Sequence, residues 1–159
     1  MEAGLSALRF NFRGVGKSTG SYDEGSGERE DAASALDWLD YRYPALPLAL
    51  IGFSFGSWVG LDVGCRDHRV RALVGLGLPL NYYDFDFLVE NPRPALFLAG
   101  TEDEFCPRDR MERLARRLPP ASRFHWVPGA DHFFVGRLEQ MQEYITSFFR
   151  GIDFQPRGQ

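Results

Sequence analysis

Cysteine is scarce in this 159-residue chain. The two copies, Cys65 and Cys106, are too few and too far apart for a disulfide scaffold. They read as small buried hydrophobes in a protein of a reducing compartment. An excess of positive charge is also missing, with a formal net charge of -4 and a pI near 5.4. That removes the electrostatic footprint of binding to nucleic acid or to an anionic membrane. The sequence has no long run of one charge sign, no internal repeat and no low-complexity segment. Its opening residues, MEAGLSALRF, carry neither a basic start nor a long apolar stretch, so no secretory signal is expected. The uncharged run from Tyr43 to Leu61 approaches the length of a membrane span. Pro44, Pro47, Gly52, Gly56 and Gly60 interrupt it, however, and a buried strand, a tight turn and a helix fit it better. What remains, with 44% hydrophobic and 14% aromatic residues, is a composition that supplies a real core and argues against disorder. The expectation is one cytoplasmic domain over residues 1–159.

Strands and helices alternate along the chain. Leu5 to Phe12 alternates and then turns apolar, as a strand does. A helix is expected to start near Glu28, with Ala32, Leu36 and Leu39 on its inner face and Pro44 just past its end. PLALIGF is a short apolar run of the kind that forms a strand covered on both faces. Phe55 to Cys65 reads as a helix, VRALVGLGL and RPALFLAG as two further buried strands, and SRFHWV as the last strand. Between the latter two lies a helix opened by Pro107 and carrying Met111, Leu114 and Leu118. The final helix places Leu138, Met141, Ile145 and Phe148 on one stripe. This alternation predicts a three-layer α/β/α sandwich around a mostly parallel sheet of about five strands. In such sheets the chemistry lies in loops beyond the carboxyl ends of the strands.

The stretch FRGVGKSTG comes close to a phosphate-binding loop but lacks its first glycine. That position is Asn11, whose side chain stands where the cradling backbone needs room, and the residues after Lys17-Ser18 cannot continue as a helix. A structural turn is expected instead.

The chemical signal lies further on. Gly52-Phe53-Ser54-Phe55-Gly56 matches G-x-S-x-G between a buried strand and an amphipathic helix. A nucleophilic serine at such a strand-to-helix turn sits in a strained backbone, so Gly52 and Gly56 are expected to be small of necessity. A serine hydroxyl needs a base, and the base needs an orienting acid. Asp103 follows one later strand and His132 follows the last, which gives the order Ser, Asp, His. Glu102, Glu104 and Asp131 flank them as competitors; His125 falls inside a strand and His68 in a surface turn. Nothing in the sequence activates Cys106, which fits a wall or helix-cap position.

Taken together, FNFRGVGKSTG, GFSFG, GTEDEFCP and GADHFF make the chain resemble the α/β-hydrolase superfamily, near its small dienelactone-hydrolase branch. A serine stands at the elbow where the dienelactone hydrolases carry cysteine. The resemblance implies Ser54 as nucleophile, His132 as general base and then acid, Asp103 as orienter, and the Phe55 N–H as one oxyanion donor. It implies a small-molecule acyl substrate and no metal or organic cofactor. It also implies strands ahead of the first one here, including the strand whose following loop normally supplies the second oxyanion N–H. On that basis the chain is expected to be an N-terminally truncated form of the fold, with Gly4 closing a helix, or else a form whose first strand has moved beside the elbow strand. If so, its activity would be weak and it would tend to oligomerise through an open sheet edge. The alternative is a non-catalytic interaction module that keeps the triad residues without a complete oxyanion hole.

Overall fold

The computed structural model describes residues 5–154. Four parallel strands form its sheet in the order β1-β2-β3-β4: Leu48–Phe53, Val70–Leu76, Ala95–Gly100 and Ser122–Val127. The helices are α1 (Ser26–Arg42), α2 (Phe55–Arg66), α3 (Arg108–Ala115) and α4 (Leu138–Arg150), and a 3-10 turn covers Asp86–Glu90.

The two-residue period of the strands sorts their side chains between the two faces. Leu73 of β2 and Phe97 of β3 point into one core with Leu36, Leu61, Phe85 and Met111, beneath α1, α2 and α3. Their neighbours Ala72, Val74, Leu96 and Leu98 meet Phe148 and Phe149 of α4 on the other face. The three-layer arrangement expected from the sequence is therefore present.

Four strands stand where about five were expected. Leu5 to Phe12 alternates like a strand but joins no ladder. At its end two carbonyls are engaged in the following turn: that of Asn11 accepts the Ser18 hydroxyl, and that of Phe12 accepts the Val15 N–H. The Arg13 N–H goes to Asp31 at 2.8 Å. The Arg13 guanidinium also forks onto Asp31 and reaches Glu30, so this residue clamps the loop to α1. Gly14 and Gly16 turn through positive φ, and helix begins only at Ser26, well past Lys17-Ser18. The stretch is a turn, as expected. The predicted helix end at Gly4 lies outside the described residues.

β1 departs from its expected burial on both faces. Among the described residues it pairs with β2 alone, and Ile51 and Phe53 are 51% and 40% exposed. An edge strand has a neighbour on one side only, which the apolar sequence cannot reveal. β2 ends at Leu76 rather than Leu78 because Gly77 takes a φ of 54°. On α4, Met141, Ile145 and Phe148 pack as predicted while Leu138, at the first turn, stays exposed.

Candidate active site

Ser54 sits between β1 and α2 with φ 51° and ψ -126°, a conformation that costs an L-residue about 1–3 kcal/mol. Surrounding bonds hold it there. Its N–H donates to the Leu76 carbonyl on β2 at 3.0 Å, and its carbonyl accepts the Ser57 N–H at 2.8 Å and the Ser57 hydroxyl at 2.6 Å. The sharp turn brings α2 back against β1. A Cβ on Gly52 would lie 2.5 Å from both the Gly56 carbonyl oxygen and Ser57 Cα, so glycine is required there. Gly56 differs from the expectation. A Cβ there would meet nothing beyond its own helix and chain neighbours nearer than Phe12 Cε2 at 3.8 Å.

Phe55 is the first residue of α2, where the amide has no intrahelical acceptor and the helix dipole is positive. Its ring lies about 6 Å from four others: Phe12 at 5.9 Å, Tyr22 at 5.8 Å, Trp58 at 6.1 Å and Tyr83 at 5.9 Å.

Asp103 and His132 come from the loops after β3 and β4, and those loops are tied together. The Glu102 N–H reaches the Ala130 carbonyl at 3.0 Å, and the Gly129 N–H reaches Thr101 Oγ1 at 2.8 Å. Both side chains are buried, with residue exposures of 6% each. His132 Nδ1 lies 3.0 Å from both Asp103 oxygens, and His132 Nε2 lies 2.9 Å from Ser54 Oγ. With Nδ1–H donating to the carboxylate, Nε2 is left to accept the Ser54 hydroxyl proton. Asp103 Oδ1 also accepts the Phe105 N–H at 2.9 Å. Phe53, Phe105 and Phe133 place their rings 5.1, 4.5 and 5.2 Å from the imidazole.

The competing groups fall outside this relay. Glu102 and Glu104 are exposed, and Asp131 spends Oδ1 on the N–H groups of Phe133 and Val135. His125 stacks on Tyr144 along β4, and His68 occupies an exposed turn. Cys106 is buried, and burial together with the Asp103 charge pushes its thiol up to about 12. One neighbour went unread in the sequence. Gly77 faces the Asp103–His132 pair closely enough that a Cβ there would lie 3.2–3.3 Å from both residues, and only its position at the end of a strand hints at this.

The aromatic loop Asn81 to Leu88 divides between packing and the site. Phe85 and Leu88 are core residues, and Tyr83 stacks on Trp58 at 4.2 Å. Tyr82 is exposed and lies 6.0 Å from Phe105. A cavity of about 380 Å³ opens between this loop and α3, lined partly by Arg110, Arg113 and Arg117. It contains none of the three relay residues.

Comparison with known proteins agrees with this architecture. The profile of an alpha/beta hydrolase domain matches residues 1–147, and the chain belongs to that family. An uncharacterized protein of Rickettsia prowazekii is 35% identical over 93% of this chain and 66% of its own length. The structure of an alpha-beta serine hydrolase homologue from Coxiella burnetii is 34% identical, with a TM-score of 0.81 over 91% of this chain and 68% of that one. A protein of unknown function from Agrobacterium tumefaciens is 32% identical, with a TM-score of 0.86 over 94% of this chain and 71% of its own. The chain spans 60% to 66% of the length of the curated relatives it matches. Among the described residues no helix is long and apolar enough to cross a membrane.

Proposed function

We propose that the chain is a serine hydrolase acting on carboxylic esters or related small acyl compounds. The observation that carries this reading is the relay from Asp103 through His132 to Ser54, with contacts of 3.0 and 2.9 Å, at a strained strand-to-helix turn. The likeness to a serine hydrolase homologue from Coxiella burnetii supports it. Ser54 Oγ attacks the acyl carbon as its proton passes to His132 Nε2. The carbonyl π electrons move onto oxygen, facing the Phe55 N–H. Collapse expels the alcohol, which takes the proton from His132, and leaves the acyl group on Ser54. His132 then deprotonates a water that attacks the acyl-enzyme, and the acid departs as Ser54 recovers its proton. Asp103 stays a carboxylate throughout and holds the ring. No metal or organic cofactor enters this chemistry, and we assign it to one cytoplasmic domain.

The test is a fluorophosphonate probe on the folded chain, followed by a panel of p-nitrophenyl esters. Labelling at Ser54 that disappears in Ser54→Ala is the expected result. A folded sample that takes no label would instead make the chain a non-catalytic module of the same fold.

A further inference from the structure

We infer that Gly77 and Phe105 are positioning residues that wall the slot holding the His132 imidazole toward Ser54; this rests on the hydrolase reading above. Gly77 follows β2, with its N–H bonded to the Leu98 carbonyl at 2.9 Å. A Cβ added there would lie 3.2 Å from Cε1 and Nδ1 of His132 and 3.3 Å from Oδ2 of Asp103. A methyl group at Gly77 would therefore be tight against both members of the hydrogen-bonded pair.

Phe105 supplies another wall in two ways. Its ring centroid lies 4.5 Å from that of the imidazole, and its N–H fixes Asp103 Oδ1 at 2.9 Å. A histidine side chain has several staggered rotamers, and only a narrow part of that range presents Nδ1 to Asp103 and Nε2 to Ser54 together. Gly77 and the ring of Phe105 stand on the walls that narrow that range. A methyl at Gly77 must push the pair by a few tenths of an ångström. A misplacement of about 1 Å costs on the order of 10²-fold in rate, so this smaller shift is expected to cost about tenfold.

The experiment measures fluorophosphonate labelling of the 159-residue chain, separated into the rate at saturating probe and the probe's affinity. Gly77→Ala is expected to lower the saturated rate about tenfold with affinity unchanged. Phe105→Ala, which keeps the amide on Asp103 and removes the ring, moves the rate the same way. Gly136→Ala is the control: its φ of 67° carries the same backbone penalty, yet its Cβ would meet nothing within 4 Å. It should lower the urea midpoint while labelling at the parent rate. Parent-rate labelling by folded Gly77→Ala, or equal slowing by Gly136→Ala, overturns the inference. Should Gly77→Ala not fold, Phe105→Ala decides alone, and parent-rate labelling there overturns it too. His132→Ala separates the two levels of the argument. If it labels at the parent rate the relay itself is wrong, whereas a large loss there beside unaffected wall variants removes only the walls.

Discussion

The two glycines of the serine turn look equivalent in the sequence, and the structure predicts opposite outcomes for them. At Gly52 a methyl group would stand 2.5 Å from a carbonyl oxygen and from a Cα, both main chain. Neither can move without opening the turn, and ordinary contact needs about 3.4 Å or more. The start of α2 must therefore retreat by roughly 1 Å, carrying Ser54 and the Phe55 amide away from His132. Overpacking of this kind costs about 1–3 kcal/mol of stability. Moving a nucleophile by about 1 Å costs on the order of 10²-fold in rate. At Gly56 the nearest atom beyond its own helix is 3.8 Å away, and the residue is helical. Gly56→Ala should gain up to about 1 kcal/mol from helix propensity and label at the parent rate. Urea unfolding and fluorophosphonate labelling of the two variants decide the matter. If Gly56→Ala loses labelling as severely as Gly52→Ala, the steric account of the turn is wrong.

Three further outcomes follow from the charges, the thiols and the sheet edge. Hydrogen bonds from Arg13 hold the Asp31 carboxyl below its usual range and outweigh the opposing effect of burial; Arg69 does the same for Asp67. Burial alone would raise Glu28, but bonds from the N–H groups of Asp23 and Gly25 bring it down. Groups held low in the folded state stabilise it above the ordinary carboxylate range, and that stability disappears as pH falls through their folded values. Urea midpoints should therefore be steady above about pH 5 and drop below it, with a shallower drop in Asp31→Asn. Burial pushes the thiol of Cys65 up to about 11 and that of Cys106 up to about 12. The native chain should resist iodoacetamide at pH about 8 and alkylate on unfolding; prompt modification of Cys106 in the folded state would contradict its placement. Among the described residues β1 has one edge without a ladder and exposes Ile51 and Phe53 beside it. Concentration-dependent association on size exclusion is expected, reduced in Ile51→Lys, because an edge lysine opposes strand pairing.

Local signals were the legible ones. The four runs from Leu48–Phe53 to Ser122–Val127 are strands, because burial and branching at successive positions are written in adjacent letters. Ser54, Asp103 and His132 were legible because each lies in the connection after a strand, where a parallel sheet gathers its loops. Leu5 to Phe12 was misread because alternation reports what a strand could bury and says nothing of which edge will pair with it. The half-burial of β1 was hidden for the same reason. The freedom at Gly56 was hidden because the direction of a Cβ depends on how closely the helix folds back on the strand.

The strand order explains why backbone, rather than side chain, lies beneath the relay. Ser54 follows β1, Asp103 follows β3 and His132 follows β4, with β2 between the strands that carry Ser54 and Asp103. At about 4.8 Å per strand, β4 lies about 14 Å from β1. An imidazole reaches only about 5 Å from its own backbone, so the His132 loop has to fold back over the ends of β3 and β2 to meet Ser54. The strand ends it crosses are Gly100 and, just past β2, Gly77. A Cβ on Gly100 would collide with the Ala130 carbonyl, and one on Gly77 would press on His132 and Asp103. Both glycines are thus consequences of topology. The loop carrying His132 travels across two neighbouring strands, and each strand must end without a side chain in its path.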